Sequence, residues 1–440
     1  MLKRRPHRAA FFFARRAPRH RACAFTRRGV ASKSGIGPYE EVSADYRSRF
    51  GNDIQMSYWH LRSDDPAKVD DLFAPGTDIS GLSYKLRDDY TSLMWLGGTK
   101  ALWDMGDGNQ AAPLFYRYGN AARTPQTRSK GFYWAGNASA RAGNATEANR
   151  YFEMAAQYPE YFYGQLALER LGRPLPQFKQ VSLASVNPQQ AAAFNASPLA
   201  AAIRTIARTG IDWRTERYFF VALAENAKDA TELQLAANLA RELGLEELAV
   251  VVGRVAPEKG IEGFTRVGFP VIPTPPGTDF TIIHAIARQE SEFDINRISH
   301  AGARGVMQLM PGTAQEQAGK MGMSYMSASL MTDPQYNIRL GDGYFARMMD
   351  YYGGSYPLAV AAYNAGPGNV NKWLRANGDP RTGGIDWLRW VEQIPIFETK
   401  NYVHRVLENA VVYEALNPER IRGGGRPRGV SQFLGKRTPG

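Results

Sequence analysis

A single cysteine, Cys23, in 440 residues excludes a disulfide-stapled scaffold, because a lone thiol has no partner within its own chain. Long apolar runs are also missing. No window approaches the roughly 18 uninterrupted apolar residues of a bilayer-spanning helix, so nothing here reads as integral to a membrane. Walker loops, dinucleotide-binding glycine fingerprints and G-x-S-x-G elbows do not occur. The six histidines, His7, His20, His60, His284, His300 and His404, form no i, i+4 pair and have no cysteine partners. Neither a metal nor an organic cofactor is therefore expected. What is present is the composition of a globular protein, 44% hydrophobic and 22% charged, long enough for two or three domains.

The formal charge of +12 invites a nucleic-acid partner, but its placement argues otherwise. Residues 1–30 carry ten Lys/Arg and no acid, and residues 417–440 carry six basic residues against Glu419. The body between these ends is close to neutral. Basic tails without interleaved aromatics fit solvated ends or an aid to surface adhesion better than a nucleic-acid groove, so no nucleic-acid partner is expected. The stretch GGGRPRG at 423–429 has the composition of a flexible end.

The start of the chain decides the compartment poorly. Its apolar run, Ala9 to Ala14, is six residues long and is broken by Arg15 and Arg16, short of a secretory h-region of about 7 to 15 residues. Arg4-Arg5 is followed by the same short run, and the residues before Cys23 do not form a lipoprotein cleavage site. The expectation is a mis-assigned or truncated start that lacks the true export signal.

Residues 41–268 read as helical throughout. Gly108-Asn109-Gln110-Ala111-Ala112 is echoed 35 residues later by Gly143-Asn144-Ala145-Thr146-Glu147-Ala148, and each copy follows a helix carrying a tryptophan, Trp103 or Trp134. A period near 34 is that of tetratricopeptide-like helix pairs. Ala/Leu-rich helices are expected at 198–208, 214–227 and 232–243. The region assembles no catalytic set and reads as a scaffold, its spaced aromatics as core.

Four prolines within Pro270 to Asp279 interrupt any helix, and a domain boundary is expected there. Thr278 or Asp279 then caps a helix whose apolar stripe, Ile283, Ile286 and Ala287, continues to Glu290. A carboxylate on a core-facing stripe costs free energy unless paired or protonated, which makes Glu290 a functional candidate. A solvated position at a frayed helix end explains it equally well on this pattern alone. Glu292, two residues on, points elsewhere.

Four further motifs follow in order. They are Ser299-His300-Ala301-Gly302-Ala303-Arg304-Gly305, then Val306-Met307-Gln308-Leu309-Met310-Pro311-Gly312-Thr313, then Ala361-Ala362-Tyr363-Asn364-Ala365-Gly366, then Ile394-Pro395-Ile396-Phe397-Glu398-Thr399 with Tyr402. With Glu290 they resemble the catalytic domain of the soluble lytic murein transglycosylases over residues 280–416. The helical region ahead resembles the doughnut-shaped superhelix of that family's longer members. Val306 stands where Leu is more usual and Arg304 where small residues are common.

The resemblance implies a mainly α fold, an N-terminal superhelix followed by a goose-lysozyme-like, mostly helical catalytic domain. The division is then a basic disordered tail at 1–40, a helical scaffold at 41–269, a Pro-rich linker at 270–279, the catalytic domain at 280–416 and a second basic disordered tail at 417–440. It implies cleavage of the MurNAc-GlcNAc β-1,4 bond of peptidoglycan with a 1,6-anhydro product, Glu290 being the single general acid/base. A carboxyl in an apolar setting keeps its proton near neutral pH, as that role needs. Ser299 is then a hydroxyl for the acid or the substrate, or merely a loop-capping serine. Gln308 and Met310 line the groove, while Met307 and Leu309 alternate into the core. Tyr363 aims its hydroxyl at the site beside Asn364. Glu398 and Tyr402, four apart in a helix opened by Pro395, share a face, with Glu398 either positioning substrate or serving as a helix-start charge.

Two other functions remain open at this point. A hydrolytic goose-type muramidase would need a water-activating carboxylate, for which Asp294 or Asp342 can be proposed, and a non-catalytic wall-binding scaffold would have no use for Glu290 or Gln308. The expected partner is the peptidoglycan glycan strand, met by a monomer in the periplasm with peripheral association to wall or membrane.

Overall fold

The computed structural model describes residues 84–180, 186–209, 213–436, 438 and 440. The basic start at 1–40, Cys23 and the first part of the expected scaffold lie outside them. The described residues are helical, the only β pairing among them being the isolated bridges Ile298–Arg304 and Arg304–Leu309.

The first layer is a stack of antiparallel helices, α1 (Tyr84–Thr99), α2 (Gly108–Ala121), α3 (Pro125–Arg141), α4 (Ala145–Ala156) and α5 (Phe162–Arg170). The two echoed segments mark helix starts: Asp107, just before the first, and Asn144, within the second, cap α2 and α4 by accepting from the Gln110 and Glu147 amides. Between α2 and α3 the side chains are small, because a Cβ on Gly131 would strike the backbone of Gly119. Trp103 packs edge-on against Trp95 and Trp134, and Phe115 meets Trp95 and Trp134 at tilted angles.

A second group, α6 (Pro188–Asn195), α7 (Pro198–Thr209), α8 (Trp213–Asn226), α9 (Ala230–Glu242) and α10 (Glu246–Glu258), has its own core around Ile203, Phe220, Leu233 and Val252. The short α11 (Thr265–Gly268) closes it, Gly268 meeting Gly253 of α10 backbone to backbone.

The irregular segment 269–279 leads into α12 (Phe280–Glu290), followed by α13 (Pro311–Lys320), α14 (Ser329–Thr332), α15 (Pro334–Tyr351), α16 (Tyr356–Ala365), α17 (Pro367–Asn377), α18 (Trp387–Glu392) and α19 (Phe397–Leu416). His284 pins the segment to α12. Its Nδ1 shares a 2.8 Å hydrogen bond with the Phe280 carbonyl and its Nε2 takes one of 3.1 Å from the Ile272 amide, while burial lowers its pKa to about 4, so the ring is neutral. The hydrophobic core runs without a break from α1–α5 into α12–α19 across this segment.

Residues 417–436 were expected to be a disordered tail, and they are instead built into the molecule. Arg428 forms an ion pair of 2.6 Å with Glu414, whose side chain is fully buried in α19, and Val430 and Phe433 of α20 (Val430–Phe433), with Leu434 just after it, are buried in the shared core. The physical reason is Glu414: a buried carboxylate needs a cation, and the glycines around Arg428 let the chain turn back to deliver it.

Candidate active site

Asp279 caps α12, accepting a 3.3 Å hydrogen bond from the Ile282 amide, and residues Phe280 to Ala287 are buried. The helix ends at Glu290 and does not run on to Phe293. Glu292 and Phe293 both adopt positive φ, 55° and 72°, which no helix accommodates. Ser291 Oγ stabilises the turn by donating to the Val306 carbonyl at 2.8 Å and accepting from the Phe293 amide at 3.0 Å.

Glu290 therefore stands at the end of a buried helix. Its Oε1 accepts a 2.7 Å hydrogen bond from the hydroxyl of Tyr402, a buried residue of α19. Burial pushes the carboxyl up from 4.5 to about 7; the Tyr402 hydrogen bond opposes this, the charge of Glu398 adds to it and that of Arg297 lowers it. Tyr402 and Tyr363 are held well above the usual phenol range, first by burial and then by the Glu290 charge, so both keep their protons as donors.

The wall facing Glu290 is the loop 297–310. Gly305 takes φ 74° and Gln308 takes φ 46°, and Asn337 of α15, fully buried, holds the loop from below. Its Nδ2 donates to the carbonyls of Arg304 and Leu330, both at 3.0 Å, and its Oδ1 accepts from the Met307 amide at 2.8 Å. Met307 and Leu309 are buried, as their alternation implied, while Met310 is exposed on the rim.

Several expected roles are placed differently. Tyr363 directs its hydroxyl not into the groove but to the Met307 carbonyl, 2.9 Å away, because that buried carbonyl otherwise lacks a partner. Gln308 turns its Nε2 back onto the carbonyls of Arg297 and Gly305, at 3.0 and 2.8 Å, satisfying the loop its own positive φ creates. Asn364 faces α19, accepting 2.6 Å from the Thr399 hydroxyl. Ser299 caps its loop, its Oγ accepting from the Ala303 amide at 3.0 Å; as an acceptor it keeps its hydroxyl proton for another partner. Glu398 is exposed at the first turn of α19 beside the exposed Phe397.

Asn337 escaped the sequence reading because it carries no pattern: an asparagine inside a helix looks ordinary until the loop it supports is seen. Of the two carboxylates that could have activated water, Asp294 is tied into its own turn and Asp342 lies away from this centre. Asp294 accepts from the Asn296 amide at 2.8 Å in its own turn. Asp342 accepts from the Asp279 amide at 3.4 Å, at the start of the 11-residue α12 and so about 15 Å from its Glu290 end.

Residues 274–383 match the model of the Transglycosylase SLT domain. The soluble lytic murein transglycosylase of Escherichia coli K12 is 40% identical over 130 residues, covering 29% of this chain and 20% of that protein. Its counterpart in Salmonella typhimurium is 29% identical over 356 residues, 77% of this chain and 52% of that protein. The chain thus spans about half, or less, of the length of these relatives. In fold, the 70 kDa soluble lytic transglycosylase of E. coli superposes with a TM-score of 0.52 at 24% identity, covering 88% of this chain and 68% of that one. The Pseudomonas aeruginosa lytic transglycosylase Slt gives 0.55 at 22%, covering 89% and 73%. Residues 274–383 are thus similar to the Transglycosylase SLT domain, and the helices that carry them share the fold of the soluble lytic transglycosylases.

Proposed function

We propose that the protein is a peptidoglycan lytic transglycosylase, cleaving the MurNAc-GlcNAc β-1,4 bond in the periplasm with a single general acid/base. The observation that carries this reading is Glu290, a carboxyl held to about 7 by burial and fixed by Tyr402. Such a group is protonated in a useful fraction near neutral pH and can give its proton to the leaving O4. The resulting carboxylate then takes the proton of the muramic C6 hydroxyl as that oxygen closes on C1, forming the 1,6-anhydro ring without water. Tyr402 stabilises the carboxylate between the two steps. The substrate's own N-acetyl group supports the electron-poor C1.

Glycosidases that use water pair their acid with a second carboxylate some 5 to 10 Å away. Asp342 lies too far away to supply it and Asp294 is engaged in its own turn, while Glu398, whose charge raises the pKa of Glu290, is the observation that favours a hydrolytic muramidase. Mass spectrometry of muropeptides released from purified sacculi separates the readings. Anhydro-muropeptides from the wild type and none from Glu290→Gln support transglycosylation. Reducing-end products move the assignment to hydrolysis with Glu398 as base, and no release by either protein leaves a wall-binding scaffold.

A further inference from the structure

The turn that ends the catalytic helix is held from outside its own domain. Glu292, two residues after Glu290, is gripped by Arg217 of α8, Nη1 to Oε2 at 2.5 Å and Nη2 to Oε1 at 3.0 Å, a two-pronged contact. Arg254 of α10 adds a third contact at 3.5 Å. The pair is largely withdrawn from water, with side-chain exposures of 22% for Arg217 and 17% for Glu292. On the same helix Arg214 donates to the Ile298 carbonyl at 3.5 Å, and the carboxyl of Glu216 is pushed up first by burial and then by the charge of Asp294. Helix α8 therefore lies along the loop that leaves Glu290.

The grip coincides with strained backbone. Left-handed φ at a residue other than glycine costs on the order of 1 kcal/mol or more, and here two such residues, Glu292 and Phe293, follow each other. Phe293 is fixed by the buried Ser291 hydroxyl on its amide and by burial of its ring. Glu292 has the two arginines. A continuous helix through 293 would carry Glu290 in mid-helix, whereas the turn leaves it as the terminal residue, where Tyr402 meets it.

We propose that Glu292 is a positioning residue for Glu290, and that Arg217 and Arg254 of the scaffold set the catalytic carboxyl through it. The proposal rests on Glu290 being the acid of the reaction above. It assigns the scaffold a part in the chemistry: α8 and α10 hold the turn on which the burial of Glu290 depends. The groups acting directly on Glu290 are Tyr402, Glu398 and Arg297, and Arg217 is itself faced by Arg254 and Arg297.

The test is a carbon-13 NMR titration of the Glu290 carboxyl, assigned by its loss in Glu290→Gln, in the wild type, Glu292→Gln and Arg217→Met. Direct field effects and positioning have different signatures. Removing the Glu292 charge lowers a neighbouring carboxyl's pKa, and removing the Arg217 charge raises it. Loosening the turn hydrates Glu290, so both variants lower it, by about one unit, and Arg217→Lys restores at least part of the shift. Turnover on sacculi falls about tenfold in both with KM unchanged. Shifts of opposite sign, or none, overturn the proposal even where thermal melting shows both variants folded but weakened. A wild type that releases no muropeptide sinks the proposed function instead, and the titration still decides the role of Glu292.

Discussion

The hydroxyl of Tyr402 donates a 2.7 Å hydrogen bond to Oε1 of Glu290 across 112 residues of sequence. The two ends of this bond arrive by different routes, Glu290 at the last position of α12 and Tyr402 on the buried face of α19, in the helix pair that forms the centre of the catalytic unit. The bond favours the charged carboxylate while burial favours the neutral acid, and burial is the larger effect.

Replacing Tyr402 with Phe removes the opposing contribution. The pKa of Glu290 then rises by about one unit, since a hydrogen bond to a charged group is worth about 1.5 to 3 kcal/mol and one unit is about 1.4. The alkaline limb of the pH–rate profile moves up accordingly, and kcat falls about tenfold because the carboxylate formed after protonation of O4 is less stable. A limb that stays in place or moves down contradicts the role given to Tyr402.

Glu290 also burdens the fold. Its pKa is about 7 in the folded protein against 4.5 for the ordinary carboxyl, so between these values the folded state holds a proton that the unfolded chain has released. Stability from this group is full below 4.5, declines as pH rises and levels off above 7, roughly 3 kcal/mol lower at most. Glu290→Gln, inactive, is therefore more stable than wild type at pH 8 and equal to it at pH 4. Urea unfolding at the two pH values checks this, and an equal difference at both would show that the carboxyl is not strained by burial.

The parts of the molecule legible in the sequence are those where one local rule acts alone. The helices expected at 198–208, 214–227 and 232–243, the cap at Asp279 and the apolar stripe leading to Glu290 are of this kind. The turn at 291–293 was not legible, because Glu292 and Phe293 have no preference for positive φ and adopt it only under contacts from Val306 and Arg217, far away in sequence. The same holds for the direction of the Tyr363 hydroxyl, decided by a carbonyl at Met307. Residues 417–436 misled in the opposite way. Their glycines and arginines suggest a loose end, while the buried positions, Ile421, Val430, Phe433 and Leu434, are too scattered to show a period.

A second link between scaffold and catalytic unit is buried and ionic. Glu392, its side chain wholly inaccessible, takes Lys130 Nζ at 2.7 Å and the Tyr163 hydroxyl at 2.5 Å, with His404 and Lys400 at 3.6 and 3.8 Å. Burial alone would raise its carboxyl, but Lys130, His404 and Lys400 hold it down to about 2. Lys130→Met strands that charge and costs about 3 to 5 kcal/mol. Adding Glu392→Gln recovers much of the loss, so the double-mutant cycle is strongly non-additive. Additive effects would mean that the two residues stabilise the fold separately.

Gly305 and Gly302 give a matched comparison within the loop that walls the site. Both have positive φ, 74° and 91°, so alanine at either meets the same backbone penalty of about 1 to 2 kcal/mol. Around Gly302 a Cβ would find open space, whereas at Gly305 it would collide with the Leu330 carbonyl and the side-chain amide of Asn337. That amide is what ties Arg304, Leu330 and Met307 together, so Gly305→Ala breaks the support of Gln308 as well as straining its own backbone. Gly302→Ala should therefore lower stability by about 1 kcal/mol with activity retained, and Gly305→Ala by about 3 kcal/mol or more, with muropeptide release lost even at temperatures where the protein remains folded. Thermal melts and activity measured side by side decide it: equal losses in the two variants would show that backbone strain alone, and not the contact with Asn337, sets the shape of the loop.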